Sequence, residues 1–457
     1  MRSRRPRLTA PQIVLLAFLG AIAVGTVLLR LPLAHAPGVA LGWLDALFTA
    51  TSAVCVTGLI VVDTGGDFSP FGQAVILLLI KSGGLGILSV GALIAFTTGR
   101  RLGVMARLGL QVQTNSLQLG GVVRFVRSLL IFTTSAELLG ALALWPAMAR
   151  EAGRAEGAWQ ALFHAVSAWN NAGFSLFSTS LVRFAADPWV VVIVPLLFVA
   201  GGLGLAVFVD VASAARTRWR RRGEPAAGGA RVPWSLHTRV ALLTTGALVL
   251  VGAGGIGALE WSNPATLGAL EPAARPWAAA FQGLTPRTAG FHVLEPAELT
   301  PASQVLTMVL MFVGGNPSST AGGVKTTTVA ILLVAAWAAV RGRGGPVAFG
   351  RAISGRLLAR ATAVVTLSLA VVTLAIFALS ISEAGVPLPT LAFEAFSAFG
   401  TVGLSLGVTP DLTAAGRLVV VALMLIGRVG LLTVGLALAA APPERPLRYP
   451  SEDVIIG

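Results

Sequence analysis

One short frame occurs four times in this chain, and it restricts the possible folds more than any other feature. The copies read FTATSAVCVTGL from Phe48, FHAVSAWNNAGF from Phe163, FQGLTPRTAGF from Phe281 and FEAFSAFGTVGL from Phe393. Each has a Phe, a small residue two later, Ser or Thr two after that, and a Gly followed by Leu or Phe. The glycines, Gly58, Gly173, Gly290 and Gly403, lie 115, 117 and 113 residues apart. A near-constant period of this length indicates four tandem units. A lone Gly-Phe would be an ordinary turn signal; four in register are more than coincident turns.

Apolar runs flank every copy, near 11–34, 70–96, 125–148, 188–213, 237–259, 300–340 (interrupted), 358–382 and 413–441. Each matches the ~20 residues a helix needs to cross hydrocarbon. Only 11% of the residues are charged, too few to cover a water-soluble surface of this size. The single cysteine, Cys55, excludes an internal disulfide framework and a cysteine-based zinc site.

The net charge of +14 does not indicate nucleic acid, because the arginines sit mainly in links between apolar runs. These basic links are Arg2–Arg7, Arg100–Arg124, Arg216–Arg239, Arg341–Arg360 and the tail with Arg445 and Arg448. The other links collect acids: Asp63, Asp67, Glu151, Glu156, Asp187, Glu271, Glu295, Glu298, Glu383 and Asp411. Basic links belong on the cytoplasmic side. Both termini are then cytoplasmic, and the acids are expected at the outer face, separated and solvated. The basic start MRSRRPR leads into an apolar run without a clear small-residue cleavage site, so it reads as an uncleaved first span.

The expected fold is therefore an all-α polytopic membrane protein. It has eight transmembrane helices in four tandem membrane–pore–membrane repeats around a central pore with pseudo-fourfold symmetry. The repeats would be 1–124, 125–236, 237–357 and 358–441, with a cytoplasmic tail at 442–457.

Non-helical backbone at membrane depth is tolerated only where protein buries it or where it lines water. Four glycine-bearing returns around one axis meet that condition. Glycine lets carbonyls turn to the axis with no side chain in the way, and rings of carbonyls can replace a cation's water shell. The candidate ion-binding residues are Val56, Thr57, Gly58, Asn171, Ala172, Gly173, Thr288, Ala289, Gly290, Thr401, Val402 and Gly403.

About 24 to 28 residues past each of these glycines comes a glycine cluster: KSGGLG from Lys81, AGGLG from Ala200, VGGNP from Val313 and IGRVG from Ile426. Close helix packing accounts for such glycines, most clearly in the first two. The third is different. MFVGGNPSSTAGGVKTTTVAILL, Met311–Leu333, puts helix breakers where a span should run. It reads as an intramembrane loop over 314–325, a candidate gate. Its residues would be Gly314, Gly315, Ser318, Ser319, Thr320, Gly322, Gly323 and Lys325, with Arg428 donating to loop carbonyls. Lys81 is expected to snorkel to the cytoplasmic interface or else to add to the same positive barrier as Lys325 and Arg428, with snorkelling favoured. His164 and His292 are expected at the outer mouth rather than as metal ligands. Glu137 and Asp210 have no evident partners.

The run GGNPSSTAGGVKT, Gly314–Thr326, with one glycine frame per repeat, resembles the Trk/Ktr/HKT family of cation transporters, over essentially the whole chain. The length and the tail RYPSEDVIIG resemble the KtrB branch. The resemblance implies potassium (K+) uptake, sodium (Na+) as an activator, a homodimer in the lipid bilayer of the cytoplasmic membrane, and a cytosolic KtrA-type nucleotide-binding ring. Sodium-preferring relatives tend to carry Ser at the first filter glycine, so Gly58 favours potassium. The chain has no GxxxxGK[ST] of its own, so nucleotide control would come from a partner. The alternatives are a sodium-permeable or Trk/HKT-type transporter, and a membrane-embedded enzyme, for which no nucleophile, paired carboxylates or HExxH stand out.

Overall fold

The structure, a computed structural model, describes residues 8–87, 122–220, 234–342 and 345–438. It is built almost wholly of helices. In chain order these are α1 (Ala10–Arg30), α2 (Trp43–Cys55), α3 (Pro70–Leu85), α4 (Val122–Ala152), α5 (Arg154–Trp169), α6 (Pro188–Leu203), α7 (Leu205–Arg220) and α8 (Leu236–Glu260). There follow α9 (Arg275–Leu284), α10 (Pro301–Phe312), α11 (Thr326–Val340), a two-residue hairpin β1 (Val347–Ala348) and β2 (Arg351–Ala352), α12 (Gly355–Ser382), α13 (Leu388–Gly400), α14 (Ala414–Val429) and α15 (Leu431–Leu438).

Among the described residues, α1, α4, α8 and α12 are long and apolar enough to cross a membrane. Two more crossings are reached only if α6 with α7, and α14 with α15, each count as one. The apolar runs at 188–213 and 413–441 are thus each two helices and not one continuous helix. These pairs bend by 89° and 98°, at Gly204 (φ +80°) and Gly430 (φ +89°). A left-handed glycine stops the preceding helix and redirects the chain. The run expected at 300–340 is two short helices separated by residues 313–325. The basic stretches at 2–7, 100–121 and 221–233 and the tail at 442–457 lie outside the described residues.

The helix that follows each glycine frame starts in a common way. Ser69, Asp187, Thr300 and Thr413 are the N-caps of α3, α6, α10 and α14, and each side chain accepts from a backbone N–H of the first turn. Proline occupies the first helical position in α3, α6 and α10, where its missing N–H costs nothing. Such a cap contributes ~1 kcal/mol. Glu260 and Glu383 clamp two of these starts. Glu260 accepts from Thr300 N (2.9 Å) and Oγ1 (2.6 Å), and Glu383 from Thr413 N (3.1 Å) and Oγ1 (2.7 Å). Asp63 accepts from Ser178 Oγ at 2.5 Å. Glu383 and Asp63 are therefore joints between segments, not the solvated charges the sequence suggested.

Among the described residues, two large clusters make up most of the core, and a smaller one gathers Met311, Phe393, Val402 and Leu404. One large cluster joins α1, α2 and α3 to α12, α13 and α14, through residues such as Phe18, Phe48, Ile76, Leu379, Phe399 and Val420. The other joins α4, α5 and α6 to α8 and α9, through Met148, Phe198, Ile256 and Phe281. The two ends of the chain thus share one core. Asp45 and Arg417 close the same seam at 2.6 Å.

Lys81 corrects another expectation. It does not snorkel. Its ammonium pairs with the buried Glu137 of α4 and donates to Thr134 Oγ1 at 3.0 Å. Glu137 also accepts from Asn170 Nδ2 at 2.8 Å. A carboxylate that is 1% exposed needs a counter-charge, and Lys81 reaches it. Asp210 likewise has partners, Ser235 N and Oγ, both at 2.9 Å.

Removing one member of a buried pair strands the other charge. Glu137→Ala should therefore lower stability by about 3 kcal/mol. Lys81→Met combined with Glu137→Leu should recover more than half of that loss. Thermal unfolding of the purified variants in detergent checks both; an unchanged Glu137→Ala would show that the pair is not structural.

Candidate functional site

The four frames fold alike. Each begins in a short helix, α2, α5, α9 or α13, whose first frame residue, Phe48, Phe163, Phe281 or Phe393, is fully buried. Each then turns out of the helix through a left-handed residue two before the glycine: Val56 (φ +58°), Asn171 (+58°), Thr288 (+70°) and Thr401 (+51°). The glycines follow at φ +95°, +70°, +78° and +95°. Three of the left-handed residues are β-branched, where this conformation is a real outlier. Strain of ~1–3 kcal/mol per residue persists only where the surroundings enforce it, and it collects at functional sites.

The enforcing bonds repeat. Thr57 N donates to Ser52 O (2.8 Å), Ala172 N to Ser167 O (2.8 Å), Ala289 N to Thr285 O (3.0 Å) and Val402 N to Ser397 O (2.9 Å). The hydroxyl of the same Ser or Thr holds the far end. Ser52 and Ser397 accept from Gly58 N and Gly403 N, both at 3.1 Å. Ser167 donates to Phe174 O at 2.8 Å, and Thr285 donates to Phe291 O.

The four turns close on one another. A Cβ on Gly58 would lie 2.5 Å from Ala172 O, and one on Gly173 would lie 3.0 Å from Ala289 O. A Cβ on Gly290 would collide with Val402 O, and one on Gly403 with Thr57 O. Each glycine thus faces the carbonyl that precedes the next glycine, in the order of the chain and back to the start.

A second polar layer stands behind this ring, at the residue after the frame's Phe. His164 bonds Ser175 Oγ at 2.9 Å, Gln282 accepts from Val293 N (3.4 Å) and Leu294 N (3.3 Å), and Glu394 accepts from Ser405 Oγ (2.8 Å) and Thr409 Oγ1 (2.6 Å). His164 is fully buried and stacked on Phe177, so its expected place at the outer mouth is corrected. Its ring nitrogens are taken by Gln160 O and Ser175. His292 is half-buried beside Glu295, whose carboxyl it holds below the usual range against the opposing effect of burial. Among the described residues no three His, Cys, Asp or Glu side chains gather as a metal site.

The segment 313–325 packs against the ring. Its ends run side by side, with Gly314 N donating to Val324 O at 2.9 Å and Thr326 N to Gly315 O at 3.1 Å. A Cβ on Gly314 would touch Thr288 Cγ2 at 3.4 Å, and one on Gly322 would strike the Thr401 side chain. Lys325 Nζ folds back onto Ala321 O (2.5 Å). Arg428 donates from one nitrogen to Thr320 O and from the other to Gly83 O at 2.5 Å. A cavity of about 470 Å³ is lined by Ser319, Thr320, Lys325 and Arg428 among others, and by none of the twelve ring residues. The segment therefore stands between ring and cavity.

Residues 9–447 match the family model TrkH, described as "Cation transport protein". The chain belongs to the TrkH family. It is 41% identical to "Ktr system potassium uptake protein B" of Bacillus subtilis (strain 168), covering 99% of this chain and 97% of that one. It is 37% identical to "Potassium/sodium uptake protein NtpJ" of Enterococcus hirae, covering 99% and 98%. The crystal structure of the potassium transporter TrkH from Vibrio parahaemolyticus superposes with a TM-score of 0.72 at 19% identity, over 96% of this chain and 87% of that one. The family is one of transporters, and the enzyme alternative is set aside on that ground.

The structure brings the four predicted glycine turns against one another, packs Gly314, Thr320 and Gly322 of the predicted loop against Thr288, Asn171 and Thr401, and bonds Arg428 to the loop at Thr320 O. Sequence reasoning missed the residues that hold the ring: Ser52, Ser167, Thr285 and Ser397, and behind them His164, Gln282 and Glu394. The signal for the first set was present, since the frame itself specifies Ser or Thr at that place.

Gly403 and Gly407 give an internal comparison. Both have strongly positive φ, +95° and +92°, but a Cβ on Gly407 meets nothing within 4 Å, whereas one on Gly403 meets Thr57 O. Gly403→Ala should lower the melting temperature clearly more than Gly407→Ala, by an extra ~2 kcal/mol of clash and strain. Equal losses would mean that the ring is not close-packed at that point.

Proposed function

We propose that this protein takes up potassium ions across the cytoplasmic membrane through the ring of four glycine turns. The observation that carries this reading is the closed contact of Gly58, Gly173, Gly290 and Gly403, each against its neighbour's carbonyl. In an extended strand successive carbonyls point to opposite sides. A left-handed residue at every second position rotates the intervening peptides, so that carbonyls can face one axis. Such rings replace a cation's hydration shell. The similarity to proteins named for potassium uptake supports the choice of ion.

The four frames with their flanking helices make four membrane–pore–membrane repeats, at 1–124, 125–236, 237–357 and 358–441, giving eight crossings. In three of them the second crossing is short or bent, and in the third it is interrupted. Both termini lie in the cytoplasm, as the basic links require. The loop 314–325 is the gate. It separates ring from cavity, and Lys325 and Arg428 add positive charge on the path of a cation. The working form is a homodimer with a cytosolic KtrA-type nucleotide-binding ring, which biases the loop between two arrangements.

A second reading is favoured by one comparison: the Enterococcus hirae relative is named for potassium and sodium. On that reading sodium also passes, or acts as an activator. Potassium against sodium flux in proteoliposomes, with and without the cytosolic ring, separates the two. Comparable flux of both ions would overturn potassium selectivity.

Two variants test the parts. In Gly58→Ser the new side chain meets Ala172 O, so the potassium-to-sodium flux ratio should fall; an unchanged ratio removes Gly58 from the ion path. Arg428 holds the loop at Thr320 O, and a hydrogen bond from a charged group is worth ~1.5–3 kcal/mol. Arg428→Ala should therefore raise flux about tenfold in the absence of the cytosolic ring. A folded variant that conducts no faster than the parent would dismiss the loop as gate.

A further inference from the structure

The loop is held to the ring by a side chain that the gating role alone does not require. Thr320 Oγ1 donates to Asn171 Oδ1 at 2.8 Å, with Trp169 O a more distant acceptor at 3.4 Å. The amide of the same Asn171 donates onward to Thr288 Oγ1 at 3.4 Å. All three side chains are buried, at 8%, 1% and 0% exposure. Asn171 and Thr288 are the left-handed residues of the second and third turns. Their counterparts, Val56 and Thr401, make no such link: valine has no polar atom, and Thr401 Oγ1 has no hydrogen-bond partner. Thr320–Asn171 is thus a polar side-chain contact that joins the loop to the ring.

We infer that Thr320 is a positioning residue for ion selectivity: its hydroxyl fixes the Asn171 carboxamide, and so the distance between the second and third turns, while the loop is seated. This rests on the reading of the four turns as the ion-binding site. The carboxamide has two ends. With Oδ1 taken by Thr320, the amide is turned to Thr288, and two adjacent turns are braced together. Without the hydroxyl, the carboxamide is free to rotate, and the turns are no longer held at one spacing. Linkage gives the converse. If seating the loop tightens the site for one ion, that ion must favour the seated loop by the same factor.

The test is equilibrium binding to the purified full-length protein without the cytosolic ring, the condition in which the loop stays seated. Potassium and sodium affinities are read from the ion-dependent rise in melting temperature. Thr320→Val keeps the shape and loses the hydroxyl; Thr320→Ser keeps the hydroxyl. Thr320→Val should reduce the preference for potassium over sodium by about fivefold or more, while Thr320→Ser stays near the parent. A merely structural role would lower the ion-free melting temperature and leave the preference unchanged. Thr320→Ala gives the same comparison should the valine fail to pack. A parent that prefers potassium, with a folded Thr320→Val that prefers it equally, overturns this inference alone. A parent with no preference overturns the ion-site reading and this inference with it.

Discussion

The structure depends on a contact in which a side chain is missing. At each of four glycines, the space a Cβ would fill is occupied by a neighbour's carbonyl oxygen, or lies against it. Four turns can approach one axis this closely only if none carries a side chain at that position. Once they do, each turn must leave its helix sharply, and the left-handed residue two places earlier supplies the bend. The strain of Val56, Thr288 and Thr401 is offset by backbone bonds back into the helix and by the Ser or Thr hydroxyl. Those hydroxyls are the cost-free donors and acceptors that a buried, non-helical strand needs.

The rest of the fold keeps these turns in place. Glycines of the following helices let backbone meet backbone: a Cβ on Gly83, Gly201 or Gly427 would fall on Val54 O, Trp169 O or Phe399 O, each four residues before a ring glycine. The helix that leaves a turn is thus docked on the helix that entered it. One cluster of the core joins the first and last quarters of the chain, so the ring has no open seam.

The ring was legible in the sequence because its cause is local and repeated. Phe, small residue, Ser or Thr, and Gly recur at a fixed period, and each member has one role. The loop was legible because Gly, Asn and Pro cannot sustain a helix. Other features were not. The bends at Gly204 and Gly430 lie inside apolar runs whose composition also suits a straight span, and only the left-handed backbone separates the two. Lys81 and Glu137 are 56 residues apart on different helices, and no periodicity links them. His164 looked like a mouth residue because it sits early in a pore-helix segment with no second ligand at helical spacing. Its burial goes with Gln160 O one turn back on its own helix and with Ser175 and the stacked Phe177 beyond the turn, which only the folded chain brings against it.

The third quarter shows why the loop occurs where it does. Its frame is one residue shorter, nine from Phe281 to Gly290 against ten elsewhere. Pro286 stands four before the glycine, and proline disfavours helix at the residue before it. Accordingly α9 ends at Leu284, and no helix-end carbonyl of the usual kind is offered to the glycine of the next helix. Gly314, which occupies that glycine's place, instead meets Gly322 O, from the return of its own loop. The docking of helix on helix is replaced by a contact within the loop, whose two ends pair in parallel at Val313 and Val324. Arg287, next to Pro286 and 8% exposed, donates to Thr245 O at 3.5 Å, and the loop's Asn316 donates to Thr245 Oγ1 at 3.3 Å. One residue of α8 thus anchors both the irregular turn and the loop. A segment held by such contacts, rather than by a continuous helix, can leave its seat without unpacking the core around it.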